Sequence, residues 1–290
     1  MQAVRYARPS SVEEAVDLLE QGGDRARVLA GGTDLIVLAR ERRIDVDLFV
    51  DVKALEPLTA IRYDPADGLA IGAAAPCYRI AADPAVQEHY PCLIDCATLI
   101  GGVAIQGRAS LGGNLCNASP AGDGIPALIA LGTTVEIAGP KGRRTVAAEA
   151  FCTGPGRNVL TSGEFVVALR APPPSDRAGA AFRRFIPRGE MDIAVTNAAV
   201  HLRFDGDRVA SARVAVGAVA PMPLLVEEAG AALAGTPLSE ATIAAAAAAA
   251  RAAARPIDDM RGTVKQRRHL AGVLVTRCIR IAAERAGVQP

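Results

Sequence analysis

Two glycine pairs set among small polar residues carry the clearest chemical signal in the chain. The first lies in Leu29-Ala30-Gly31-Gly32-Thr33-Asp34-Leu35. The second lies in Ser110-Leu111-Gly112-Gly113-Asn114, with Ala118-Ser119-Pro120-Ala121-Gly122-Asp123 beyond it. Adjacent glycines let a backbone approach a ligand closely and adopt positive φ. Successive amides then form a nest suited to phosphate oxygens, and Thr33, Ser110 and Asn114 offer side-chain hydrogen bonds. Such a pair of loops would cradle a pyrophosphate from two sides. Neither matches G-x-G-x-x-G or G-x-x-x-x-G-K-[ST], so the standard dinucleotide and triphosphate fingerprints are absent. Taken singly, each cluster reads more simply as a tight turn.

Other constellations are thin. His89, His201 and His269 stand in no metal spacing, and there is no G-x-S-x-G elbow. The cysteines at 77, 92, 96, 116, 152 and 278 include no C-x-x-C pair and read as buried or inert thiols. Near the glycine clusters only Asp34, Asp123, Arg108 and Tyr78 qualify as acid–base candidates, and none has an evident partner. No catalytic residue is assigned. That scarcity suits a protein whose chemistry resides in a bound cofactor.

Composition narrows the partners. The 290 residues carry 32 Lys and Arg against 31 Asp and Glu, a net charge of +1. With 3% aromatics and no Trp, neither an electrostatic nor a stacking platform for nucleic acid is present. The opening residues from Met1 to Tyr6 lack the pattern of a secretory signal, and no apolar stretch of about 18 residues is available to span a membrane. Free thiols without a signal point to the cytoplasm. The basic stretch from Arg251 to Pro290 has nine Lys and Arg against three Asp and Glu. It reads as a solvated helical face or, less simply, as a docking surface for an acidic partner.

The elements that must position the two clusters are legible in outline. Ser11-Val12-Glu13-Glu14 predicts a capping box opening a helix that ends at Gly22-Gly23. Residues 27–30 predict a strand running into the first glycine pair, with a helix from Leu35. Strands are expected at 48–52, 69–73, 134–138 and 165–169, and helices near 78–82, 85–99 and 125–131. Pro172-Pro173-Pro174 marks a linker, so the expected domains are 1–174 and 175–290. After it come strands at 180–185, 194–204 and 209–219, with a hairpin turn at Asp205-Gly206-Asp207. Helices over 239–255 and 263–286 close the chain.

Together the residues resemble a known family. Ala30-Gly31-Gly32-Thr33-Asp34-Leu35 and Ala109-Ser110-Leu111-Gly112-Gly113-Asn114-Leu115, with Ala118 to Asp123, are similar to the two FAD-binding motifs of the medium subunits of molybdenum hydroxylases, the xanthine dehydrogenase and carbon monoxide dehydrogenase family. The resemblance extends to Pro9-Ser10-Ser11-Val12-Glu13-Glu14-Ala15, to Arg184, Arg188 and Asp192-Ile193-Ala194, and to Pro256-Ile257-Asp258-Asp259-Met260-Arg261-Gly262. It implies an α+β protein of the vanillyl-alcohol oxidase class. Two α/β FAD-binding (PCMH-type) subdomains would precede a C-terminal domain of a small antiparallel sheet and a helical bundle.

The resemblance also implies roles. Residues Leu29 to Leu35 and Ser110 to Asn114 would hold the pyrophosphate of FAD. Asp123 would contact its sugar portion, Ile100 and Val166 would lie at the flavin ring, and Arg184 would sit near the flavin N1/O2 edge. The function implied is electron transfer in a cytoplasmic complex, arranged as a dimer of heterotrimers and open to peripheral association with the inner face of the membrane. An iron–sulfur small subunit would deliver electrons from a molybdenum large subunit, and FAD would pass them to an external acceptor. A self-contained flavin-dependent oxidoreductase of the same fold is the alternative. The chain departs from the family at Thr263 and Gln266, where relatives often carry Ser and Tyr. It also lacks the cysteine-rich insertion of the 4-hydroxybenzoyl-CoA reductase branch.

Overall fold

A computed structural model describes residues 3–289. The first sheet is wholly parallel, with strand Leu48–Asp51 between Arg5–Ala7 and Ala26–Leu29. All four residues of the central strand are buried: Leu48, Phe49 and Val50 form the apolar run expected of a parallel sheet, and Asp51 at its end is paired with Lys53 at 2.6 Å. Helix Val12–Gly22 makes one crossover and buries Val12, Ala15, Val16 and Leu19. Ser11 caps it, its hydroxyl accepting from the Glu14 amide at 3.0 Å. Glu14 reaches back one residue further than a capping box demands, accepting from the amide and hydroxyl of Ser10 at 2.7 and 2.6 Å.

The second sheet is antiparallel throughout. Its strands run in the order Ile61–Asp64, Gly68–Gly72, Phe165–Ala171, Thr134–Gly139 and Gly142–Ala147. Between Gly72 and Thr134 the chain leaves the sheet and builds short helices. The single helix expected over 85–99 is two, Pro84–His89 and Pro91–Ala97. Pro91 has no amide to continue the first and serves as the opening residue of the second.

The third sheet, Ala178–Phe185, Thr196–Asp205, Arg208–Gly217 and Leu224–Leu225, is also antiparallel. Helices Glu240–Ala253 and Val264–Arg285 pack with it around a core that includes Val200, Val214, Ile243, Val275 and Ile279. Gly179 permits close strand–helix contact, since a Cβ there would stand 2.0 Å from the Ala282 carbonyl oxygen.

The main core does not stop at the proline run. It spans the first two sheets and takes in Phe182, Ala199 and Ala215 of the third. Among the described residues, ion pairs on three acids cross the same boundary. Asp95 accepts from both terminal nitrogens of Arg285 at 2.6 and 3.0 Å and from the Phe182 amide at 3.1 Å. Arg213 pairs with Glu149 at 2.8 Å, and Arg184 with Asp123 at 2.5 Å. Each acid precedes the prolines and each arginine follows them. The basic tail is thus partly spent inside the fold: besides Arg285, Arg267 is buried and paired with Asp259 at 2.7 Å, whereas Arg280 meets Glu240 at 2.9 Å on the surface.

Candidate functional site

The first glycine pair follows strand Ala26–Leu29 directly. Gly31 lies flat on the neighbouring segment: a Cβ there would stand 2.0 Å from the Arg108 carbonyl oxygen. Gly32 has φ +74° and closely approaches the side chains of Ile36 and Leu29. Only glycine satisfies the space at one position and the dihedral at the other. Among the described residues, the amides of Gly31, Gly32, Thr33 and Asp34 have no protein acceptor. Helix Leu35–Arg40 begins immediately after.

The second pair is the first turn of a helix rather than a loop. Ser110 caps helix Leu111–Asn117, its hydroxyl accepting from the Gly113 amide at 3.1 Å. Helix geometry leaves the amides of Leu111 and Gly112 without an acceptor inside the helix. Gly112 allows the helix to press on the second sheet, where its Cβ would fall 2.4 Å from the Ala73 carbonyl oxygen. Gly113 is exposed on the other side, and a Cβ there would meet only the Ser110 hydroxyl, at 3.1 Å. Asn114 turns its side-chain oxygen inward to accept from the Gly124 amide at 3.0 Å, setting the start of helix Gly124–Ala130.

These elements face one another across a cleft of about 710 Å³. Ala30, Gly31, Gly32, Thr33, Asp34, Leu35, Ile100, Ser110, Gly112, Gly113, Asn114 and Val166 line it. Leu29 and Leu111 are buried in the apolar cores. Asp123 and Arg184 are not among the lining residues. They form a buried ion pair, and the Asn197 amide donates to the other Asp123 oxygen at 3.1 Å. Burial pushes the Asp123 carboxyl up, with Arg184 and Asn197 pulling the other way.

One wall had no counterpart in the motif reading. Thr161, Ser162, Gly163 and Glu164 line the cleft just before strand Phe165–Ala171. The Thr-Ser-Gly turn ahead of an apolar run was the available signal. Glu164 takes two 2.7 Å bonds from Arg144, which hold its carboxyl down at about 2. The strand's register also shifts between Val166 and Ala168, a bulge that turns Val166 into the cleft wall.

Unclaimed amides on two facing walls, hydroxyls at Thr33 and Ser110, and a cavity within the usual range for cofactor sites fit a dinucleotide. Comparison with known proteins decides which. The family described as "FAD binding domain in molybdopterin dehydrogenase" matches residues 2–174, and "CO dehydrogenase flavoprotein C-terminal domain" matches residues 180–282. The chain belongs to this family. It is 34% identical over 282 residues to the carbon monoxide dehydrogenase medium chain of Afipia carboxidovorans, covering 97% of each. It is 30% identical over 283 residues to the xanthine dehydrogenase FAD-binding subunit of Escherichia coli O157:H7, again covering 97% of each. The reconstituted CO dehydrogenase of Oligotropha carboxidovorans superposes with a TM-score of 0.93 at 32% identity, covering 98% of both chains. As a family member, the chain is an FAD-binding subunit of an oxidoreductase of the molybdenum hydroxylase type.

Proposed function

We propose that this chain relays electrons through FAD within a multi-subunit molybdenum hydroxylase. In this reading, iron–sulfur clusters in a small partner supply electrons drawn from a molybdopterin centre in a large partner, and an external acceptor receives them. The observation that carries the placement is the pair of facing amide sets. Gly31 to Asp34 on one wall and Gly112, in the first turn of the helix capped by Ser110, on the other would hold the diphosphate. Ile100 and Val166 would flank the ring, while Asp123 and Arg184 would act on it from behind the lining, through Asn114 and the start of helix Gly124–Ala130. Bound FAD supplies the redox chemistry. The chain's residues bind it, orient it and shield it from water.

Three features support the need for partners. The described residues contain no group of His, Cys, Asp and Glu able to hold a metal. The cleft offers no acid–base pair for substrate chemistry, since Glu164 is fully engaged by Arg144. Two residues beyond cleft-lining Ile100, Gly102 is covered by exposed Met191, which is held at φ +52° with Arg188 donating to its carbonyl at 3.0 Å, and exposed Val103 follows Gly102 in the chain. Large apolar side chains left exposed this close to a cleft-lining residue suit a second protein. No helix among the described residues is long and apolar enough to cross a membrane. Six free thiols fit a reducing compartment, consistent with the cytoplasm. The division at residue 174 into a cofactor domain and a docking domain is part of the same proposal.

The test compares flavin reduction in the lone chain and in the assembled complex. Mixed with a hydroxylase substrate, the lone chain should keep its oxidised flavin spectrum, and the complex should bleach. Bleaching of the lone chain would instead identify a self-contained flavoenzyme.

A further inference from the structure

The charge on the cleft lining does not suit a diphosphate. Its charged side chains are Asp24, Asp34, Glu164 and a single cation, Arg27. Arg27 is committed to the backbone carbonyls of Asp24 and Ala26, and Arg144 behind Glu164 is committed to that carboxylate. Arg184 is paired with Asp123. Amides alone would therefore have to offset two phosphate charges.

Arg108 stands where the two glycine elements meet. It lies two residues before the cap Ser110, and its backbone is the surface on which Gly31 rests. Its Nε donates to the Gly31 carbonyl at 3.1 Å, the side-chain bond that joins the two elements. Among the described residues no carboxylate lies within ion-pair distance of it, and neither terminal nitrogen has a protein acceptor. The side chain is exposed, with one edge fixed and the other open. A planar guanidinium held by one edge is well suited to receive an oxyanion at the other.

We propose that Arg108 is the cation of the diphosphate cradle, strapping the Gly31 loop to the Ser110 helix and offsetting the charge of the bound diphosphate. This rests on the FAD reading above. The strap orders the four unclaimed amides before the ligand arrives, and the guanidinium supplies the charge the lining lacks. The role is positional and electrostatic, with no part in electron transfer.

The experiment uses the full-length chain, purified with whatever subunits accompany it and stripped of flavin. FAD is titrated back by flavin fluorescence, with ADP as competitor, into wild type, Arg108→Gln and Arg108→Lys, at low and high NaCl. Arg108→Gln should weaken FAD and ADP alike by about tenfold to a hundredfold, the range of a charge-assisted hydrogen bond. Arg108→Lys should lose less. Wild-type affinity should fall as salt rises, and the Gln variant should lose much of that dependence. The melting temperature of the flavin-free protein should be the same in all three. Wild-type affinity and salt response in Arg108→Gln would overturn the assignment. So would weakened binding with unchanged salt response and a lowered melting temperature, which would make Arg108 a packing residue only. A wild type that takes up neither FAD nor ADP would sink the cofactor reading itself, and the Arg108 role with it.

Discussion

Removing Arg184 leaves Asp123 buried and without its cation, at the start of helix Gly124–Ala130. Breaking one half of a buried pair typically costs about 3–5 kcal/mol, because the surviving charge is uncompensated. Arg184→Met should show a deficit of that order in urea unfolding. Asp123→Asn combined with Arg184→Met should recover much of it. The pH dependence has a defined sign. Burial already raises the Asp123 carboxyl, so its native form favours the proton more than the unfolded chain does. The deficit of Arg184→Met relative to wild type should therefore shrink as pH falls and the stranded carboxylate is neutralised. A deficit that is unchanged between neutral and mildly acid pH would place the cost in lost packing. The glycines also divide at this scale. Gly31, Gly32 and Gly112 each meet protein atoms closely on the side where a Cβ would sit, so substituting them tests the fold. Gly113 opens on the cleft and tests the site.

At the scale of elements, strand Thr196–Asp205 gives a second pH prediction. His201 sits opposite Arg213 on the adjacent strand, with Arg203 two residues on. Burial first, then those two arginines, push its imidazole down to about 4 from an ordinary value of 6.5. The native state holds it neutral, whereas the unfolded chain protonates it below about 6.5. Its contribution to stability is thus fully present above pH 6.5 and is lost as pH falls towards 4. Its size is about 1–3 kcal/mol, given that the ring keeps some contact with water. His201→Gln should flatten the unfolding free energy across that interval, and an unchanged slope would show another group responsible.

The strands on either side of both glycine pairs were legible because apolar runs bounded by turn residues leave few readings. The helix break at Tyr90 was signalled by Pro91 and overridden by the apolar periodicity around it. Placing Gly112 and Gly113 inside a helix was harder, since glycine disfavours helices; Ser110 as a cap was the cue. The Thr161-Ser162-Gly163 turn is visible in the sequence, but nothing local marks it as a cleft wall, and the meeting of Gly31 with Arg108 was not legible at all. The first came only from the packing of a loop against two motifs distant in sequence. The second joins residues 77 apart, which no local spacing records.

Across the whole molecule, the halves on either side of Pro172-Pro173-Pro174 are locked by acids from one and arginines from the other. Asp95 is the most connected of these, holding Arg285 and the Phe182 amide together. Asp95→Ala strands those donors at a partly buried boundary and should lower stability by about 2–3 kcal/mol. The loss should be read by urea unfolding. Because Arg285 keeps some exposure, the wild-type advantage should narrow at high salt. Equal stability of the two proteins would mean that the shared apolar core alone holds the halves together. In the proposed relay, such a junction would fix exposed Met191, packed on Gly102, relative to the cleft.

The most direct measurement is the FAD content of the full-length protein and of Gly113→Val, each purified with whatever subunits accompany it. A β-branched side chain at Gly113 would project from the helix Leu111–Asn117 into the cleft, with only the Ser110 hydroxyl close to its Cβ. The account predicts stoichiometric FAD in the wild type. It predicts a folded, assembled and nearly flavin-free variant. A folded Gly113→Val that retains stoichiometric FAD would contradict it, because the cofactor would then lie somewhere other than between these two walls.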